Sequence, residues 1–262
     1  MASSKDGKTG RLVAYDSIAA PGQRITLVAD LLEEGVFTQS PLGGEVIVFL
    51  LDGRSLGHAM TGGDGRAAKA LVAKAAGVVA VTVRLENARR VTASEATARL
   101  FVWDRRRPIV LVALAALTAR SQRPGEGLPF SFSEGTPPNP EVRAVDALTA
   151  LSRRVNLIYL READRLDVAE LRGWADRHRL PAGPIVPVKA GPRGLSMELE
   201  NWRRAGWGNI KGGLAGTPDE AKALLAERMK AVVPPSASSK EKWPDKAIKS
   251  KDWSDVAKRL LL

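Results

Sequence analysis

The hydrophobic pattern of this 262-residue chain changes period once, near Trp103–Arg107, and that change constrains the fold more than any other feature. Residues 10–103 alternate with a period near two, as half-buried strands do. Ile25, Leu27, Ala29 and Leu31 point one way, with Arg24, Thr26 and Asp30 among the residues pointing the other. Val79, Val81, Val83 and Leu85 repeat the pattern, and so do Ala96, Ala98, Leu100 and Val102. The apolar run Val46–Leu51 stops at Asp52-Gly53, a hairpin pair, and further turns sit at Pro21-Gly22, Gly43-Gly44 and Gly62-Gly63-Asp64-Gly65. About six or seven strands with such regular punctuation predict a β-sandwich.

Beyond Arg105-Arg106-Arg107 short apolar strands alternate with helices. Strands are expected at Ile109–Val112, Val155–Leu160, Pro184–Val188, Asn209–Gly213 and Ala231–Val233. Asn139-Pro140-Glu141 predicts a helix start, with Asn as cap and Pro in the first turn, running to about Arg153. Further helices are expected at Asp167–His178, Ser196–Arg204, Thr217–Met229 and Trp253–Leu261. This alternation implies a parallel sheet with helices on both faces. The expected organisation is a flexible N-terminus (1–9), an all-β sandwich (10–104) and a three-layer α/β domain (105–262).

Composition excludes several chemistries. With no cysteine, disulfide frameworks, thiolate metal sites and thiol nucleophiles are ruled out, and His58 and His178, distant in sequence, exclude a histidine-rich metal centre. The net charge is +11, of which residues 107–262 carry +8, so an anionic partner is expected mainly for the second half. The longest apolar run, Pro108–Leu117, is about half of the roughly 20 residues that span a bilayer, and Met1–Lys8 lacks a signal-peptide apolar stretch. The expected location is cytoplasmic, with peripheral contact at the cytoplasmic face of a membrane complex as a further expectation.

Pro21-Gly22-Gln23, Gly43-Gly44-x-Val46-x-Val48 and Gly63-Asp64-Gly65-x-Ala67 resemble turn and strand starts of bacterial Ig-like domains over residues 10–103. That resemblance implies adhesion or spacing, without chemistry. The second half resembles a haloacid-dehalogenase-like (HAD-like, Rossmannoid) domain, nearest the phosphatidate-phosphatase-like branch. Its carriers are Arg107–Val112, Val155–Leu160, Trp174-x-x-x-His178-x-Leu180-Pro181-x-Gly183-Pro184 and Gly213-x-x-x-Thr217-Pro218-Asp219-Glu220-Ala221-Lys222. The resemblance implies a first-strand signature Asp-x-Asp-x-Thr, whose first carboxylate is nucleophile and Mg²⁺ ligand and whose second is the proton donor. Ala113 and Ala115 stand at those positions, and Arg161 stands where a phosphate-binding Ser/Thr is expected. A methyl group neither attacks phosphorus nor holds a hard cation. The basic residue of the family pattern has only loose candidates, Lys189 and Lys211. Asp219 falls near acidic Mg²⁺ ligands of the family, but Thr217-Pro218-Asp219-Glu220 also reads as a capping box.

No catalytic set, cofactor or metal is therefore expected, and the chain reads as a pseudoenzyme of the HAD phosphatase type. The expected function is a scaffold or accessory subunit docking on a larger assembly through an acidic protein surface, with peripheral contact to an anionic membrane as a further option. Docking candidates are Arg105, Arg106 and Arg107 together with Phe130 and Phe132 in the Gly/Pro-rich segment 118–139, which is otherwise a cover for the core edge. The alternatives are a phosphohydrolase with a non-standard site, and a nucleic-acid or anionic-membrane binder. The latter rests on Lys240, Lys242, Lys246, Lys249 and Lys251 interleaved with Trp243 and Trp253, though Trp253, Val256 and Leu260 also have the spacing of a buried helix face.

Overall fold

The computed structural model describes residues 8–34, 39–87, 90–118, 138–162, 168–189, 191–237 and 241–261. The chain divides into two compact units, Met1–Asp104 with Asp167–Ala169, and Arg105–Leu166 with Glu170–Leu262.

The first unit holds β1 (Lys8–Ala14), β2 (Ser17–Ala19), β3 (Arg24–Glu34), β4 (Gln39–Pro41), β5 (Val46–Leu51), β6 (Arg54–Met60), β7 (Arg66–Val72), β8 (Gly77–Leu85), β9 (Val91–Thr92) and β10 (Ala96–Val102). One sheet runs β4-β3-β1-β9 with β7 also on β3, and the other runs β2-β10-β8-β5-β6. Pairing is antiparallel except for β1 with β9 and β10 with β2. Alternation decides the layering: Leu27, Ala29 and Leu31 of β3 meet Ile47, Phe49, Val83 and Leu100 in one core. Asp52 and Gly53 take φ of 46° and 76°, the left-handed pair a two-residue hairpin between β5 and β6 requires. Asp30, on the opposite side of β3, is nonetheless buried, accepting hydrogen bonds from Tyr15 Oη (2.8 Å) and Arg66 Nε (2.9 Å). This is an Ig- or fibronectin III-like β-sandwich.

The second unit is a single parallel sheet. Its strands are β11 (Ile109–Ala113), β12 (Asn156–Glu162), β13 (Ile185–Val188), β14 (Ile210–Leu214), β15 (Lys230–Val233) and β16 (Ile248–Lys249), in the spatial order β13-β12-β11-β14-β15-β16. The helices are α1 (Val142–Ser152), α2 (Val168–Arg177), α3 (Pro192–Arg204), α4 (Pro218–Ala226) and α5 (Trp253–Leu261). α1 packs with α5, and α3 with α4, as right-handed crossovers on the two sheet faces demand. All five residues of β11 are buried, as expected of the central strand of a covered sheet.

Three local expectations change. Asn139 and Pro140 do not start α1; Glu141 is its N-cap residue, because Pro140 is held in a bridge with Thr118 and Glu141 N donates to Leu117 O (2.8 Å). α3 begins at Pro192, a turn earlier than the apolar spacing indicates, since Pro suits a first helical turn. The polar tail contains β16, two residues long and too short to leave a periodic signal. The expected flexible N-terminus (1–9) is corrected as well: β1 begins at Lys8, because Lys8 and Thr9 pair with Val91 and Thr92 of β9.

Candidate functional site at the carboxyl edge of the parallel sheet

In an open parallel sheet the neighbours of the strand where the order reverses diverge, and the crevice beyond its carboxyl end is the natural ligand position. Here that strand is β11, flanked by β12 and β14. Its last residue is Ala113, and Ala115 lies in the 3₁₀ turn Leu114–Leu117 that follows. The loop after β14 comes down directly onto this turn. A Cβ placed on Gly216 would lie 3.0 Å from Ala115 Cβ, 3.0 Å from Ala116 N and 3.3 Å from Ala113 Cβ. Glycine at 216 and small side chains at 113 and 115 therefore answer one another. Among the described residues no three His, Cys, Asp or Glu side chains are grouped to hold a metal ion.

Beside the switch point lies a cleft of about 190 Å³, lined by Glu162, Lys189, Leu195, Thr217, Asp219 and Glu220. This is below the roughly 300 Å³ at which small-molecule sites begin. Its acids are committed to the backbone and to neighbours. Glu220 Oε2 accepts from Gly216 N (2.7 Å) and Thr217 N (3.0 Å), while Thr217 Oγ1 accepts from Glu220 N (3.2 Å), completing a capping box at the start of α4. Glu162 Oε1 accepts from Gly191 N at the start of α3 (3.1 Å), and Asp219 pairs with Lys222 (2.9 Å). Asp219 thus sits in a helix first turn.

Burial pushes the Glu220 carboxyl up to about 7; the two backbone N–H groups and Thr217 counter part of this, and the Glu162 charge adds to it. The cleft therefore holds an acid that exchanges its proton near neutrality, with Lys189 on the rim, but the carboxyl is occupied as a loop clasp.

Arg161, next to last in β12, is buried, and desolvation lowers its pKa against the opposing pull of Glu162. Of the two lysines considered from the sequence, Lys189 lines the cleft, whereas Lys211 is the second residue of β14, near the opposite edge. The Leu180-Pro181-x-Gly183-Pro184 element has a packing cause. A Cβ on Gly183 would lie 2.3 Å from Leu157 O, and Tyr159 Oη donates to Pro181 O (2.7 Å). The element seats the approach to β13 against β12.

The docking candidates separate. Arg105, Arg106 and Arg107 precede β11 and so lie at the edge where strands begin, while segment 118–139 follows β11 from the carboxyl edge. Arg105 Nη2 donates to Ala205 O (3.0 Å) and its guanidinium lies 5.6 Å from the centroid of Trp207. Arg107 Nη2 donates to Ser152 O (2.6 Å) and Val155 O (3.3 Å), and Arg106 O accepts from Asn209 Nδ2 (2.6 Å). Phe130 and Phe132 lie outside the described residues. Trp243 and Trp253 are buried, so a strip of lysines and stacking tryptophans is not available in the tail. His178 packs edge-on against Trp174 at 5.3 Å, and His58 Nδ1 lies 3.1 Å from Glu86, so both have local structural partners.

The facing of Glu162 and Glu220 across one cleft was not foreseen. The capping box of Glu220 was legible, but β12 and α4 are brought together only by the strand order.

No protein-family model and no curated protein matches this sequence. Among solved structures, the fibronectin(III)-like modules of Clostridium thermocellum CbhA are similar at 15% identity, over 36% of this chain and 94% of that one, with a TM-score of 0.26. An IG27 protein domain is similar at 11% identity over 36% of this chain and 95% of that one, with a TM-score of 0.26. A putative α-galactosidase of Bacteroides fragilis is similar at 10% identity over 89% of this chain and 46% of that one, with a TM-score of 0.23.

Proposed function

We propose that this chain is a non-catalytic accessory subunit, an Ig-like sandwich joined to a HAD-like domain that has lost its phosphatase machinery, and that it docks on a larger protein assembly with an acidic surface. One observation carries the reading: Ala113 and Ala115 meet Gly216 at the switch point, where phosphoryl chemistry of this type needs two carboxylates. The net charge of +11 supports attraction to an acidic partner. An assay with a generic phosphomonoester and with phosphatidate, each with Mg²⁺, is expected to show no turnover. Turnover that survives purification and disappears in Asp219→Ala would overturn the reading.

A second reading, a phosphohydrolase with a non-standard site, is favoured by one feature. Glu220 titrates near 7 in a cleft rimmed by Lys189, and perturbed acids beside a cation recur at reactive sites. It requires activity that falls in Glu220→Gln and Lys189→Ala alike.

A further inference from the structure

In a parallel sheet every helix-to-strand connection returns the chain to the same edge, where the strands begin. Here the connections before β12, β13 and β15 carry arginine, and α3, which precedes β14, ends on two. The three arginines before β11 have counterparts in Arg153 and Arg154 before β12, and in Arg203 and Arg204 before β14, all with exposed side chains. Asp104 and Glu227 are the acids in these connections, and Glu227 already pairs with Arg203, as Glu200 of α3 does with Arg204. The carboxyl edge is mixed: its described connections and the adjoining strand and helix ends hold Glu141, Glu162, Asp219 and Glu220 beside Arg143, Lys189 and Arg193.

Basic residues near helix ends are ordinarily explained by the negative pole of the helix and its unpaired carbonyls. That suffices for Arg105 and Arg107, which donate to carbonyls at the ends of α3 and α1. It does not explain Arg179, before β13, or Arg228, before β15. Both occupy the left-handed residue that closes a helix, with φ of 57° and 59°. The closing bonds are Arg179 N to Asp176 O (3.0 Å) with Leu180 N to Ala175 O (2.9 Å), and Arg228 N to Leu225 O (3.0 Å) with Met229 N to Leu224 O (2.9 Å). α3 closes in the same way and uses Gly206, φ 87°. Glycine is the unstrained choice there, and a side chain costs about 1–2 kcal/mol. Two exposed arginines held in strained backbone on one charged edge satisfy a demand that folding does not make.

The surroundings select the ligand. Phosphate sites typically recruit main-chain N–H groups and helix N-termini, whereas this edge presents helix C-termini. Base stacking needs exposed aromatic rings, and Trp207 here is buried. Guanidinium forks without main-chain donors suit carboxylates, which they bind bidentately. We propose that the strand-start edge of the second unit docks an acidic segment of a partner protein, with Arg179 and Arg228 as its outer contacts, before β13 and β15, whose starts lie about 19 Å apart, four strand spacings. This rests on the accessory-subunit reading and names its surface and partner class.

The test uses the full-length chain and fluorescein-labelled poly-L-glutamate across a salt series. Arg179→Gly with Arg228→Gly is expected to raise the melting temperature while weakening poly-L-glutamate binding about threefold to tenfold at low salt. Lys189→Glu, on the other edge, should leave that affinity unchanged. Unaltered affinity in the double glycine variant overturns the proposal, as does tighter binding of duplex DNA or of phosphatidylserine vesicles than of poly-L-glutamate. Phosphatase turnover would defeat the accessory reading without touching these affinities. Conversely, absent turnover with unaltered affinity would leave that reading standing and remove this edge from it.

Discussion

Glu220 carries an electrostatic cost of burial in the second unit. Its carboxyl titrates at about 7 when folded against an ordinary 4.5. Below pH 4.5 it is protonated in either state and its contribution to stability is fully present. Between 4.5 and 7 only the folded protein retains the proton, and as pH rises through 7 that stability is lost. Glu220→Gln should therefore gain on wild type by about 1–3 kcal/mol between pH 5 and pH 8, read as the difference in urea midpoints at the two pH values. Ala113 offers the opposite experiment. Ala113→Asp is expected to lose about 3 kcal/mol or more without creating phosphatase activity, because a lone carboxylate would be buried against Gly216 with no cation or proton partner. Thermal unfolding and the phosphomonoester assay check both halves. The alanines at 113 and 115 were legible in the sequence, but what packs against them was not. The answering glycine lies about 100 residues away, and only the pairing of β11 with β14 brings it there.

Elements with a strong one-dimensional signal were read closely. α5 spans Trp253–Leu261, and its Trp253, Val256 and Leu260 are buried, because a 3.6-residue stripe records its own burial. The start of α1 was misplaced because its determinants are tertiary: the bridge from Thr118 to Pro140, and Glu141 accepting from Trp253 Nε1 (2.8 Å). Trp253→Phe should keep the apolar contact and lose that hydrogen bond, costing about 1–2 kcal/mol in chemical denaturation. The Leu-Pro-x-Gly-Pro element was conspicuous for a reason unrelated to chemistry. Gly183→Ala drives a methyl into Leu157 O and should cost about 1–3 kcal/mol, whereas an element kept for ligand contact would tolerate the change. A urea titration separates the two.

For the whole molecule, the period change near Trp103–Arg107 coincides with the division into two compact units at Asp104 and Arg105. Residues 105–262 expressed alone should unfold cooperatively, because a six-stranded sheet covered by its own helices has a core of its own. A fragment with helical circular dichroism but no cooperative transition would show that its core is incomplete. Cutting at 108 instead should weaken that transition, since Arg105 and Arg107 tie α3 and α1 to the start of β11. The position of β11 also has a consequence in time. As the first strand of its sheet to leave the ribosome, it lies between β12 and β14 and closes with β14 only after about 100 further residues are made. Until then one flank of a wholly apolar strand has no native partner. The nascent second unit is therefore expected to need protection of that flank during the interval, and the arrival of β14 is expected to limit the rate of its refolding.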